Sequence, residues 1–383
     1  MMGYHYFDHA AATAMDERVV QAMLPFMSAT FYNPSATYGP ARQVSAELEL
    51  ARARVAHWLG ARPSEVIFTA GGTESDNLAI HGVMATALRS DPSANLVVTA
   101  IEHDAVLRPA DKYEVHIAPA DSQGMVKVSE LAASIDGHTA LVSVMYANNE
   151  VGTIQPLRDV AAVVSAERDR RRAAGNPLPI YLHTDACQAA NYLDLHTARL
   201  GVDLMTLNGG KIYGPKQSGV LYVRGGLELQ PTIHGGGQES GLRSGTENVA
   251  AAIGLAAALD LVQAERQGEV HRLQALQRLF INEISVRIPA AKINGSLKKR
   301  LPNNVHLTLP GTDNERVLVK LEAAGILAAA GSACSASSQE PSHVLRAIGL
   351  SDDEAQASLR FSTGRATDEA AVRAAVDALV SLA

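Results

Sequence analysis

The sequence predicts an α/β fold with a mostly parallel sheet buried on both faces, followed by a smaller α+β unit. Three observations predict it. Short apolar runs rich in β-branched residues recur at 65–69 (EVIFT), 96–100 (LVVTA), 140–147 (ALVSVMYA), 180–186 (IYLHTDA), 203–208 (DLMTLN) and 219–224 (GVLYVR). Candidate helices at 105–112, 127–135, 156–173 and 194–200 lie between many of them. Strands alternating with helices imply a parallel sheet covered on both sides. The pattern then changes near residue 247, where a long helical stretch, roughly 247–288, carries no strand signal.

Each element has its own local reason. Val44, Leu48, Ala51, Val55 and Leu59 fall on one helical stripe over 43–59, closed by Gly60. EVIFT runs into AGGTESD and then the apolar-periodic NLAIHGVM, which reads as strand, glycine-rich turn and helix. Beyond the long helix come NVHLTL (304–309), a helix at 313–324, the small-residue segment 326–342, a helix near 343–348, SLRFST (358–363) and a final helix at 368–382. The expected division is a large α/β domain over 15–258 and a small α+β domain built from 1–14 and 259–383.

Composition narrows the class. Of 383 residues, 47% are apolar, enough to bury a large core. A net charge of −7 argues against a general nucleic-acid or anionic-membrane binder. The basic runs at 168–172 and 298–300 read as solvated helix and loop ends, since no aromatics interleave them. Two cysteines, Cys187 and Cys334, provide neither a disulfide framework nor a paired metal motif. No basic-then-apolar leader is visible and no apolar run is long enough for a bilayer. These features lead us to expect a cytoplasmic protein.

Four places carry chemistry. The turn Gly71–Gly72–Thr73 between strand and helix offers backbone N–H groups and a hydroxyl to a phosphate. Lys211, after Asn208–Gly209–Gly210, lies just past a strand, where ligands of open α/β sheets bind, and its amine can form a Schiff base with an aldehyde. Asp185 stands at another strand end, where a carboxylate can hold a heterocyclic nitrogen protonated. Cys334 sits in GSACSASSQEPS, a small polar stretch that reads as a loop. A free thiol has a pKa of about 8.5, so ionising it at pH 7 costs about 2 kcal/mol, and reach matters more than a depressed pKa. Cys187, two residues from Asp185, reads as a packed and inert thiol. Taken singly, each of these features has an ordinary structural explanation: a plain turn, a surface lysine, a capping aspartate.

In order and combination, the motifs resemble the class-V aminotransferase-like family, and within it the cysteine desulfurases of the NifS/IscS type. The carrying stretches are YFDHAAAT (6–13), NPSA (33–36), EVIFTAGGTESDNLAI (65–80), IEHDAVL (101–107), NNEVGTIQP (148–156), HTDACQA (183–189), GGKIYGPK (209–216), HGGGQESGLRSGTEN (234–248), GSACSASSQEPSHVLRAIGL (331–350) and LRFSTGR (359–365). The resemblance implies a fold type I, aspartate aminotransferase-like architecture and pyridoxal 5'-phosphate as cofactor. It makes Lys211 the lysine that holds the cofactor, Asp185 the partner of its ring nitrogen and Gln188 the partner of its phenolic oxygen. Gly72, Thr73 and Asn208 fall at phosphate positions, and Thr246 matches a residue reaching the phosphate from the neighbouring subunit of a homodimer. His103 corresponds to the histidine stacked on the ring. Asn149 and Arg360 match residues that orient the substrate, Arg360 through its carboxylate; Asn33 is a further substrate-site candidate.

The implied activity is removal of sulfur from L-cysteine, giving L-alanine and a persulfide on Cys334 that passes to a sulfur-acceptor protein, an iron–sulfur scaffold or a tRNA thiolase. No resident metal is implied, beyond transient ligation of an iron–sulfur cluster by Cys334. Two departures stand out. The family commonly has Ser-X-His-Lys where this chain has Asn208–Gly209–Gly210–Lys211, and Asn208 keeps a donor for phosphate. Tyr38 replaces a histidine that often follows the NPS motif. Relatives that dock an iron–sulfur scaffold often extend further beyond the final helix. Alternatives from the same family are a selenocysteine lyase or an aminotransferase, although the latter needs no loop cysteine. An alternative of another class is a catalytically silent, cofactor-binding sulfur relay.

Overall fold

The computed structural model describes residues 3–331 and 341–382. The loop expected around Cys334 therefore lies outside the described residues.

A seven-stranded sheet organises the larger part of the chain. Its strands stand in the order Val66–Thr69, Gly219–Val223, Leu204–Asn208, Tyr181–Asp185, Thr139–Ser143, Asn95–Thr99, Val115–Ala118. All neighbours pair in parallel except Gly219–Val223, which is antiparallel to the strand on either side. Val66–Thr69 consequently runs in the majority direction. Four of the seven strands are buried at every residue, as expected when helices cover both faces. The exceptions are at the ends of Leu204–Asn208 and Tyr181–Asp185 and along the edge strand Val115–Ala118, whose polar-interrupted sequence gave no strand signal.

The helices follow from their caps and apolar stripes. Glu17–Met27 starts at Asp16, whose carboxylate accepts from Arg18 N at 2.9 Å. Gly39–Leu59 begins four residues before its apolar stripe and ends at Gly60, in the left-handed conformation at φ 62°. Gly72–Ser90 packs Leu78, Ala79, Val83 and Met84 onto the sheet face formed by Ile67, Leu96, Leu141 and Leu204.

The long helix, Val249–Arg287, spans 39 residues and serves two cores. Its residues from Val249 to Val262 join the apolar cluster under the large sheet. Leu273, Leu276, Phe280 and Ile284 instead join a second cluster with Phe7, Leu307, Phe361 and Val376. That cluster is backed by a three-stranded antiparallel sheet in the order Ser358–Ser362, Asn304–Thr308, Lys292–Ile293. Beside it, His5–Tyr6 pairs in parallel with Ile326–Leu327.

Strand direction positions the site. Thr69, Thr99, Ser143, Asp185 and Asn208 all end strands that point the same way, so the loops after them gather along one edge of the sheet. The segment after Tyr6 crosses to that edge and is tied there. Thr13 N and Oγ1 both donate to Gly210 O at 3.1 Å, and Ser362 N donates to Phe7 O at 2.7 Å.

Candidate active site

At that edge a cavity of about 210 Å³ is lined by Ala10, Ala11, Gly72, Thr73, Asp76, His103, Ala105, Met145, Ala147, Asn149, Asp185, Cys187, Gln188, Asn208, Lys211 and Arg360. Nine residues singled out in the sequence thus share one wall: Gly72, Thr73, His103, Asn149, Asp185, Gln188, Asn208, Lys211 and Arg360. A second, more open cavity of about 570 Å³ shares Gly72, Thr73, Asn208 and Lys211 with it and adds Gly210 and Lys216. Asn33 and Thr246 line neither cavity and are exposed. Asn33 Oδ1 accepts from Ser35 N at 2.9 Å. Cys334 lies outside the described residues.

The phosphate end is built from a turn and an amide. Gly71 has φ 146°, a backbone setting that only glycine adopts freely. A Cβ on Gly72 would stand 2.8 Å from Cys187 Sγ and 3.4 Å from Asn208 Nδ2, so crowding excludes a side chain there. Asn208 Oδ1 accepts from Gly210 N at 2.9 Å. That bond fixes the amide orientation and leaves its N–H donors for a ligand. Helix Gly72–Ser90 adds its N-terminal backbone groups. By contrast, a Cβ on Gly210 would meet Asn208 Oδ1 at 3.4 Å and Lys216 Cγ at 3.5 Å, ordinary contact distances. Crowding therefore does not demand glycine at 210.

Lys211 closes a short 3-10 turn, Gly209–Lys211, directly after its strand. Its carbonyl accepts from Asn191 Nδ2 at 2.6 Å, which pins the turn. Opposite, Asp185 is 9% exposed at the end of its strand, and its Oδ1 accepts from Cys187 N at 2.8 Å. Gln188 Nε2 donates to Ala10 O at 2.9 Å and retains a second N–H.

His103 caps the helix Asp104–Ala110, with Nδ1 accepting from Ala105 N at 3.0 Å. The neutral ring therefore carries its proton on Nε2. Burial holds its pKa below the usual histidine value, with the Asp185 charge opposing that shift. Neutral His103 is thus a donor at Nε2 and an acceptor only at its cap.

Arg360 comes from the smaller sheet. It is 1% exposed, donates from Nη2 to Asp8 Oδ1 at 2.6 Å and from Nη1 to Asn149 O at 3.0 Å. Arg360 Nε and Asn149 Oδ1 are both buried without a hydrogen-bond partner, one donor and one acceptor toward a small polar ligand. Arg360 also forms a backbone bridge with Ala329, two residues before Gly331. On the other side, Ser342 Oγ donates to Glu150 Oε2 at 2.6 Å, and His343 Nε2 lies 2.9 Å from Glu102 O.

Sequence reasoning assigned no role to Asp8, Asp76 or Glu102. Asp76 and Glu102 are 1% and 0% exposed, and burial raises the pKa of both, Glu102 to about 8. A carboxylate on the apolar face of NLAIHGVM's helix was the available signal for Asp76. Cys187 is buried, as expected, and burial followed by the Asp185 charge lifts its thiol pKa well above normal. Its place on the cavity wall was not foreseen.

These residues fit pyridoxal phosphate: a glycine turn with an oriented amide, a buried carboxylate and an amine line one cavity. Comparison with known proteins agrees. The family described as aminotransferase class-V matches residues 5–374. The cysteine desulfurase IscS of Dictyoglomus turgidum is 39% identical over 379 residues, covering 98% of this chain and 93% of that one. Among solved structures, a NifS-like protein superposes with a TM-score of 0.88 at 32% identity, over 99% of both chains. The structure titled SspA in complex with cysteine gives a TM-score of 0.80 at 34% identity, over 93% of this chain and 98% of that one. This chain belongs to the class-V aminotransferase family, whose members depend on pyridoxal phosphate.

Proposed function

We infer that the protein is a cysteine desulfurase, which converts L-cysteine to L-alanine and leaves the sulfur as a persulfide on Cys334. The observation that carries this reading is the meeting of Lys211, Asp185 and Arg360 on one cavity wall, in a chain alike over nearly its whole length to proteins of that name.

When bound, pyridoxal phosphate supplies an electron sink that lets a Cα proton leave the substrate. Gly72, Thr73 and Asn208 would hold its phosphate, Asp185 its ring nitrogen, Gln188 its ring oxygen and Lys211 its aldehyde carbon. Arg360 binds the substrate carboxylate through its guanidinium, and Asn149 offers its unpaired Oδ1 nearby. Lys211 Nζ, on the same cavity wall, would be the base that takes the substrate Cα proton. His103 lines the same cavity and would handle the proton beside the substrate. The Cys334 thiolate forms a bond to the substrate sulfur as the Cβ–S bond breaks. The electron pair stays on Cβ, which is protonated to the methyl group of alanine.

Chain geometry supports the reach of Cys334. It lies five residues beyond Ala329, which is bridged to Arg360, and five extended residues span about 17 Å. A second copy is part of the reading: exposed Thr246 would meet the phosphate of a neighbouring subunit in a homodimer. The persulfide passes on to an acceptor protein, in an iron–sulfur or tRNA-thiolation route.

Cys334→Ala tests the assignment. The variant is expected to keep cofactor absorbance while losing alanine and sulfide production from cysteine with a thiol reductant. Undiminished turnover in that variant rejects Cys334 as the nucleophile.

A further inference from the structure

The scheme above leaves one acid of the cavity wall without a task. Asp76, on the second turn of helix Gly72–Ser90, is 1% exposed and lines the same cavity as Asp185 and Lys211. No lysine or arginine forms an ion pair with it among the described residues. Its Oδ1 is buried without a hydrogen-bond partner and lies 3.5 Å from His183 Nε2. The Thr206 hydroxyl hydrogen-bonds its carboxyl, a contact that favours the anion less strongly than burial and the Asp185 charge oppose it.

His183 does not serve as its counter-ion. The ring is fully buried, with Nδ1 2.8 Å from Ser143 Oγ and Nε2 3.1 Å from Thr206 Oγ1. Burial lowers its pKa to about 4, so it is neutral at physiological pH. Two carboxyl groups, Asp76 and Asp185, thus share a dry wall with no cation between them except the Lys211 amine, which the cofactor takes up. Neighbouring buried carboxyls do not both ionise cheaply, and one keeps a proton. The backbone N–H of Cys187 donates to Asp185 Oδ1, whereas among the described residues no backbone N–H donates to the Asp76 carboxyl. Burial first, and then the charge of Asp185, push the Asp76 pKa well above the usual carboxylate range.

We propose that Asp76 is a proton-bearing positioning residue: a neutral acid beside Asp185 that leaves Asp185 the single anion available to the cofactor's ring nitrogen. The proposal rests on the pyridoxal-phosphate reading of the cavity. Asp76 holds its proton throughout; the Thr206 hydroxyl fixes the carboxyl, and neutral His183 on the adjoining strand brings no charge to it.

Infrared difference spectra between the wild-type full chain and Asp76→Asn, both loaded with pyridoxal phosphate, test this. The carbonyl stretch of a protonated carboxylic acid should appear in that difference, because Glu102, protonated in both, cancels. The same variant, a neutral isostere, should bind pyridoxal phosphate within about threefold of wild type, while Asp185→Asn binds at least about tenfold more weakly. An acid band unchanged by Asp76→Asn, or cofactor affinity lowered about tenfold by it, overturns the proposal. Should Asp76→Asn not fold, Thr206→Val decides. Removing the hydroxyl must shift the acid band, and an unshifted band counts against Asp76 as its source. Failure of the cofactor reading looks different: the wild type itself would bind no pyridoxal phosphate, whatever the acid band does.

Discussion

Asp8 Oδ1 accepts a hydrogen bond from Arg360 Nη2 at 2.6 Å, in a pair whose arginine side chain is only 2% exposed. The guanidinium expected to receive the substrate carboxylate therefore already has an anionic partner, supplied by the crossing segment near the N-terminus. Asp8 orients the fork and also competes for it. Asp8→Asn keeps an acceptor oxygen but removes the charge. It is expected to lower KM for cysteine about three- to tenfold, with kcat little changed, since charge-assisted bonds exceed neutral ones by about 1 kcal/mol. Arg360→Lys, which cannot form the fork, should raise KM at least about tenfold. Steady-state kinetics at fixed ionic strength check both.

The Gly72 crowding makes a paired test possible. Gly72→Ala would bring a Cβ to 2.8 Å from Cys187 Sγ and should weaken pyridoxal phosphate binding. Cys187→Ala removes that sulfur and should by itself change cofactor affinity by less than about threefold. The double variant is expected to recover much of the affinity lost in Gly72→Ala. Non-additivity of the two changes, measured by cofactor titration, is the readout.

Lys211→Ala should abolish the cofactor absorbance of a lysine-linked aldehyde while leaving the fold intact by circular dichroism. A borohydride-reducible band persisting in that variant would assign the linkage to another lysine.

Glu102 ties stability to pH. Its Oε1 accepts from Thr99 Oγ1 at 2.6 Å and Met145 N at 2.8 Å, its Oε2 is unpaired, and burial raises its pKa from 4.5 to about 8. The folded value lies above the unfolded one, so its contribution is fully present below pH 4.5 and is lost as pH rises toward 8. Glu102→Gln keeps the Oε1 acceptor without the ionisation. Relative to wild type it should stabilise the chain at pH 8 and above, by on the order of 1–4 kcal/mol, with the gain vanishing in acid. Denaturant midpoints at pH 5 and 8.5 measure it.

Much of the architecture was legible because burial on both faces leaves an unambiguous mark. Runs such as LVVTA and GVLYV have few other fates than a central strand. Val115–Ala118 carried no such mark, because an edge strand needs only one covered flank and tolerates His116. The helix Glu17–Met27 was missed for a different reason: Pro25 and a sparse apolar pattern, with only Val19 and Met23 buried, obscure its period. At the cavity, residues standing directly after strands were readable from that position. Asp8 and Asp76 were not, since their importance depends on partners 352 and over 100 positions away, Arg360 and Asp185. Composition says which side chains can ionise. It does not say which two will face each other across a dry wall.

The helix Val249–Arg287, about 58 Å long at 1.5 Å per residue, belongs to both apolar clusters without interruption. Neither cluster can lose its packing without stripping one half of a rod that the other half still holds. Heating should therefore melt the chain in one cooperative step, and amide protons in the middle turns of this helix should exchange with solvent only through whole-molecule unfolding.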